Sequence, residues 1–394
     1  MSQPHYILYG NEMSLYTGKG RSYLRKKGVR FETRSTNHPG FARAAQAVGH
    51  PYQPILETPT GEFVQDTTEI IDFIEARHPK PAVVPAGPCQ HLVALLFELY
   101  GDEGLLKPAM HYRWNFPDEN DAFLIQEFSR GISETEVPLP DGDDPAFPGR
   151  ARALAVVNVM RSVMLPALGV TPVSVSAIEA AYEELLDLLE LHFRVHPYLL
   201  GGRPSVGDFG MIAPLYAHLG RDPHPANLMK RRAPMLYRWV ERMNVADAAM
   251  AEFPEARDAF LAEDAVPETL LPILGLMARD FLPELVGIVA SVDGWLAEHP
   301  EVEAAARVPG TSSGMGAQGP FGSHTITLRG VSIELRVRHY TIWLLQRVQD
   351  HHAGLAPDDR ARADALLEST GLLPLYSTRP RLRIERRDHV EYFA

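Results

Sequence analysis

One cysteine in 394 residues sets the first limits on this chain. With no second thiol to join Cys89, no internal disulfide, CxxC motif or cysteine-rich zinc site can form, a usage that fits a reducing compartment. Cationic charge is also short. Lys and Arg number 38 against 50 Asp and Glu, a formal net charge of −12. That balance argues against nucleic acid or an anionic membrane surface as the main partner. Long uncharged apolar runs are missing too. The span 270–290 carries Arg279, Asp280 and Glu284 and reads as amphipathic helix, so no membrane span is expected. The opening MSQPHYILYG has no charged region followed by an apolar stretch, so no signal peptide is expected, and a cytoplasmic location is.

Several motifs fail for want of one element. His192 and His196 stand at i, i+4 without the glutamate of HExxH or a third ligand, so no metal pair is expected. GTSSGMGAQG lacks GxxxxGK[ST] and reads as a flexible loop rather than a phosphate site. His351-His352 reads as a solvated helix end. Lys19, Arg21, Arg25, Lys26 and Lys27 read as a solvated helix face in an acidic chain.

What is present suffices for buried cores: 45% of residues are hydrophobic and 22% charged, over a length that predicts two or three domains. The first 80 residues alternate. Tyr6–Tyr9 is a predicted strand and Thr17–Lys27 a helix stopped by Gly28. Val29–Thr33 is a second strand, followed by a weak helix near 41–48. Ile55–Glu57 and Glu62–Val64, joined by Thr58-Pro59-Thr60-Gly61, form a predicted hairpin. TTEIIDFIEAR, 67–77, puts Ile70, Ile71, Phe73 and Ile74 on one helical face. The order describes a small α/β layer on a mixed sheet.

Prolines 79, 81, 85 and 88 then mark a boundary. Helical patterns follow at 90–108, 121–131, 150–165, 176–194, 206–219 and 235–243. Leu92, Leu95, Leu96, Leu99 and Tyr100 keep the i, i+3, i+4 period, as do Ile178, Tyr182, Leu185, Leu186, Leu189 and Phe193. From about Asp264 one or two apolar helices at 266–296, a glycine-rich loop, a hairpin around Arg329-Gly330 and helices at 342–350 and 357–369 are expected. The end, RPRLRIERRDHVEYFA, is only mixed in charge.

YGNEMSLYTGKGR places Ser14, Tyr16 and Thr17 at a strand-to-helix junction, where a helix N-terminus offers N–H groups to an anion or a simple cap. Asp66-Thr67-Thr68-Glu69 and Ser205-Val206-Gly207-Asp208 are capping boxes. The second reads as structural only.

Four features in order make the first 245 or so residues resemble a glutathione transferase. They are the loop from Ser14 to Lys19 and Arg21, Gln53-Pro54-Ile55-Leu56, Gln65-Asp66-Thr67-Thr68-Glu69-Ile70-Ile71, and HPYLLGGRPSVGDFG. The resemblance implies a thioredoxin-like glutathione-binding domain at 1–83, an all-α domain at 88–263 on the acceptor-substrate side, and a C-terminal extension at 264–394 outside the family's usual length. It implies glutathione as co-substrate, held by Gln53 next to a cis Pro54 and by Asp66 and Thr67. It implies a thiol activated by a hydroxyl, with Ser14 first and Tyr16 or Tyr9 as alternatives, attacking a small hydrophobic electrophile. Tyr100, His111, Tyr112 and Trp114 are the expected walls of the electrophile site, although ordinary aromatic core is an equal reading for each. Ser14 stands where some members have cysteine, which disfavours mixed-disulfide chemistry, and Cys89 reads as an inert apolar residue. A homodimer is implied. The competing reading is a catalytically silent binding or scaffold protein on the same fold.

Overall fold

The computed structural model describes residues 5–131, 149–246, 250–310 and 319–394. The chain forms two compact units, each assembled from three separate stretches. The first unit takes 1–83, 112–162 and 212–251; the second takes 84–111, 163–211 and 252–394. Among the described residues no helix is long and apolar enough to cross a membrane.

In the first unit β1 (Tyr6–Tyr9) leads to α1 (Leu15–Lys27), which ends on Gly28 at φ 72°, where the glycine N–H donates to the Arg25 and Leu24 carbonyls. β2 (Phe31–Arg34), α2 (Pro39–Val48), β3 (Ile55–Glu57), β4 (Phe63–Gln65) and α3 (Thr67–Arg77) follow. The sheet order is β2-β1-β3-β4, with β1 and β2 parallel and the other pairs antiparallel. This is the expected thioredoxin-like mixed sheet. Tyr9 and Ile55 pack with Phe41, Ala44 and Val48 of α2 into a core on one face. Helices at Pro117–Gly131, Arg150–Val159, Pro223–Arg232 and Pro234–Met243 complete the unit. The helix at 223–232 has two prolines in its first turn and few apolar residues, of which Ala226 and Met229 are buried, and the sequence pattern missed it.

The second unit is mostly helical. The single helix expected at 90–108 is broken: Pro88–Leu99 passes into a wider π-type turn at Tyr100–Gly104 before Leu106–Trp114 begins. Within that turn Gly101 lies against the Gly210 backbone, where a Cβ would sit 2.3 Å away. Val175–Phe193, Leu271–Asp280 and Leu282–Glu298 pack beside it. The expected hairpin is present as Ser323–Leu328 paired with Val331–Arg336. Its turn holds Arg329 at φ 48° and Gly330 at φ 84°. Helices Tyr340–Ala353 and Pro357–Thr370 both pack on the helix at 88–99. A second hairpin, Ile384–Arg387 with Val390–Phe393, closes the chain and was not legible in the sequence.

His351 and His352 are not a solvated helix end. His351 Nε2 bonds the Pro88 carbonyl at 2.9 Å, and His352 bonds Asp364 at 2.7 Å and stacks on Tyr376. The glycine-rich segment 311–318 lies outside the described residues.

A buried charge network also belongs to this unit. Glu284 pairs with Lys107 and accepts from Arg338 at 2.8 Å, and Thr341 donates to Glu103 at 2.6 Å. Burial alone would raise the Glu284 carboxyl. The two cations outweigh it and hold it below the usual range.

Candidate active site

The sheet register assembles the candidate site. Tyr9 pairs with Ile55, and Ile55 with Gln65, so these three residues form one row across three strands. The first loop leaves β1 after Tyr9, Gln53-Pro54 enters β3 just before Ile55, and Asp66 follows Gln65. Three segments distant in sequence therefore meet at one end of the sheet.

In the first loop Ser14 is the N-cap of α1, at φ −80° and ψ 129°. Its Oγ accepts from the Thr17 N–H at 3.3 Å. A hydroxyl that accepts still has its own proton to give, and Ser14 donates it to no described protein acceptor. Gly10 must be glycine, because a Cβ would lie 2.2 Å from Thr17 Oγ1. The strand end can press on the first turn of α1 only without a side chain.

Three clamps fix this loop. Gln53 Oε1 accepts from the Asn11 N–H at 2.6 Å and from the Thr17 hydroxyl at 3.5 Å. The Asn11 amide exchanges two bonds with Thr36, at 3.0 and 3.1 Å, and Thr36 Oγ1 donates to the Gly131 carbonyl at 2.8 Å. Arg113 donates to the Met13 carbonyl at 2.8 Å. The sequence valued Gln53 only for its backbone. Its replacement of the more usual valine was the available signal for a side-chain role. Nothing in the sequence pointed to Arg113.

The Gln53–Pro54 peptide is cis, as the resemblance implied. Asp66 caps α3, with Oδ1 accepting from the Thr68 N–H at 2.8 Å and the Glu69 N–H at 3.4 Å. It does so at φ 80°, a conformation that costs a non-glycine residue about 1–3 kcal/mol and is often found at binding sites. Thr67 is buried beside it.

Tyr9 is placed elsewhere. Its hydroxyl donates to Glu57 at 2.8 Å inside the α2 core, and burial raises its pKa further, with Glu57 adding to the shift. Tyr16 is the second residue of α1 and half-buried. The basic cluster departs from its expected solvated face. Lys19, Arg21 and Lys27 are buried, meeting Thr68 at 3.2 Å, Glu12 at 2.8 Å and Glu75 at 2.5 Å. Charge runs read as exposed only when their distant partners are unknown.

The four candidate wall residues are all buried within their own units. Tyr112 stacks on Phe116 and lies 6.0 Å from His224, and Trp114 packs on Phe128, all in the first unit. In the second unit His111 meets Glu179 at 2.9 Å. Tyr100 packs on Phe281 and lines a small cavity with Tyr182, Lys107 and Asp280. His192 uses one ring nitrogen on Thr269 at 2.8 Å and the other on the Tyr198 carbonyl at 3.3 Å. Burial, with His196 adding, pushes its pKa down to about 3. Cys89 is buried near Asp264, and burial pushes its thiol up to about 11.

Residues 8–82 match the family model of the Glutathione S-transferase, N-terminal domain. That segment has the thioredoxin-like fold of such amino-terminal domains. The matched segment contains the first loop, Gln53-Pro54 and Asp66-Thr67. A glutathione S-transferase from Methylobacterium radiotolerans JCM 2831, solved with glutathione sulfonate, is similar at 20% identity. The match spans 67% of this chain and 100% of that one, with a TM-score of 0.35. A β-etherase from Sphingobium sp. strain SYK-6 is similar at 18% identity over 63% and 98% of the two chains, with a TM-score of 0.42. A glutathione S-transferase from Ceriporiopsis subvermispora, solved with glutathione, is similar at 17% over 62% and 100%, with a TM-score of 0.35. No curated protein matches the chain.

Proposed function

We propose that the protein is a glutathione transferase that binds glutathione at this end of the sheet and uses the Ser14 hydroxyl to hold its sulfur as thiolate. One observation supports the reading above the others: Ser14 caps α1 while donating its proton to no described protein acceptor, in the loop that follows Tyr9, whose strand row with Ile55 and Gln65 also brings Gln53-Pro54 and Asp66 to this end of the sheet. Asp66 offers a carboxylate to the ammonium of the γ-glutamyl group, and the start of α3 suits the γ-glutamyl carboxylate. The backbone of Gln53 offers its N–H and carbonyl to the cysteinyl unit.

The energetics are modest. A thiol with a pKa near 8.5 brought to about 6.5 needs about 2.7 kcal/mol of preference for the thiolate. One hydroxyl donated to an anion contributes roughly 1.5–3 kcal/mol, and a helix N-terminus adds up to about 1. No basic side chain is required. In this reading residues 1–83 supply the glutathione side and 88–263 the acceptor side, and the protein is a cytoplasmic homodimer acting on a small hydrophobic electrophile.

Calorimetric titration of glutathione, paired with the ultraviolet absorbance of the thiolate, tests the proposal. Affinity should fall in Asp66→Ala, and the thiolate band should vanish in Ser14→Ala while binding persists. Absence of glutathione binding to the wild-type protein would sink the reading in favour of a scaffold that retains the fold.

A further inference from the structure

Arg113 is a buried cation of the first unit with every bond inside the protein. It is 2% exposed, and its guanidinium spends four hydrogen bonds on three groups. Nε and one Nη hold the two Asp222 oxygens at 2.6 and 2.9 Å, in the two-pronged geometry that gives the strongest and most directional ion pairs. The same Nη also reaches the Ala217 carbonyl, and the other Nη reaches the Met13 carbonyl at 2.8 Å. Asp222 is fully buried, and its N–H is held by the His218 carbonyl at 3.1 Å, so the fork has a fixed base.

The Met13 carbonyl belongs to the peptide whose N–H is that of Ser14. That N–H donates to the Asn11 carbonyl at 3.1 Å, and Asn11 is itself held by Gln53 and Thr36. The plane of the peptide entering Ser14 is therefore fixed from both faces, by Arg113 on its oxygen and by the turn on its nitrogen. A neutral capping turn does not need a buried guanidinium, because Ser14 and the Asn11 carbonyl already close it. What the extra bond supplies is orientation. With its backbone unable to rotate, Ser14 has only χ1 left to place its hydroxyl.

We infer that Arg113, locked by Asp222, is a positioning residue that aims the Ser14 hydroxyl at the sulfur of bound glutathione. The inference rests on the proposed function. It assigns Arg113 no contact with substrate. Its pairing with Asp222 leaves little net field at the sulfur, so its effect is geometric. Lysine, a point charge without the planar fork, cannot hold Asp222 at two points and Met13 at a third.

The test is a pH titration of the thiolate band with saturating glutathione, in wild type, Arg113→Lys, Asp222→Asn and Ser14→Ala, with glutathione affinity measured by calorimetry on the same samples. In wild type the bound thiol should ionise well below the free-thiol range. In Arg113→Lys its apparent pKa should rise by about one unit, a tenfold loss of thiolate at pH values below it, with affinity changed less than twofold. Asp222→Asn leaves the guanidinium in place but loosens its fork. It also leaves the guanidinium charge uncompensated, which by itself favours the thiolate, so a rise of the apparent pKa in this variant comes from lost aim alone, and it serves where Arg113→Lys does not fold. A folded Arg113→Lys or Asp222→Asn with the wild-type titration curve overturns the positioning role and leaves the glutathione reading intact. A wild-type protein that binds glutathione without a thiolate band overturns the activation reading, and this inference with it.

Discussion

Asp264 caps the helix that begins at Pro88: one carboxylate oxygen accepts from the Cys89 N–H and the other from the Gln90 N–H, each at 2.9 Å. Gly87 leaves room for it, since a Cβ there would lie 2.1 Å from Asp264 Oδ1. The cap comes from about 175 positions away, so it joins segments as well as ending a helix. Asp264→Ala should cost about 1–2 kcal/mol, the usual worth of an N-cap. A lower urea midpoint with an unchanged slope is the expected result.

Removal of residues after 263 strips the helices at 340–353 and 357–370 from the helix at 88–99. It also leaves Glu103 and Lys107 without Thr341, Arg338 and Glu284. Unpaired buried charge and bare apolar surface are each strongly destabilising. The truncated protein should aggregate or lose helical signal. A soluble truncated chain that keeps its circular dichroism would show the extension to be an independent addition.

Tyr9→Phe separates the two hydroxyls that stand near the first loop. Its loss removes one bond to Glu57 and should cost about 1–2 kcal/mol of stability. The thiolate band of bound glutathione should not change. Disappearance of that band in Tyr9→Phe would transfer the activating role from Ser14.

Asp280, Glu184 and Glu284 all sit below their usual pKa values. For each, burial pulls upward and is outweighed: by Arg279 and Arg329 at Asp280 and Glu184, by Lys107 and Arg338 at Glu284. A depressed carboxyl adds stability that is complete above its unfolded value, near 3.9 for Asp and 4.3 for Glu, and is lost as pH falls through the lower folded value. Thermal midpoints should therefore drop steeply below about pH 4. Arg329→Gln should flatten that drop, with Asp280 giving most of the change because Glu184 is more exposed.

Cys89 should be silent toward thiol reagents at neutral pH. Its thiol is buried and pushed up to about 11, so almost no thiolate is present at pH 7. Labelling should await denaturant. Rapid labelling of the native protein would show that the start of the 88–99 helix opens readily.

Local chemistry was legible in the sequence. The Asp66 N-cap, the Gly28 stop and the Arg329-Gly330 turn each act through neighbouring residues, and all three are present. What the sequence hid depends on distance. Arg113 meets Asp222 across 109 positions, and Lys19 meets Thr68 across 49. A charge looks solvated until its partner is known. The terminal hairpin escaped for a related reason. Its turn uses Asp388 and His389 at φ 48° and 67° in place of the glycine that usually marks such turns, and its inward Glu391 is paired with Arg386. Gln53 showed the limit of pattern matching. The peptide before Pro54 is cis, and the Gln53 side chain adds contacts to Asn11 and Thr17 that the motif does not describe.

The interleaving of the two units has a consequence for how the chain comes together. Neither can be cut out by one scission, because each draws on three stretches separated by parts of the other. During synthesis the strands and α3 emerge early, yet the first unit waits for the helices up to Ala251 before its loop clamps are complete, since Arg113 and Asp222 arrive in its second and third stretches. The second unit cannot finish until the stretch from Glu252 onward supplies Asp264, Glu284 and Arg338. Every residue of those clamps, up to Asp222, thus precedes Asp264, Glu284 and Arg338 along the chain, and the clamps around Ser14 draw on no residue of the extension.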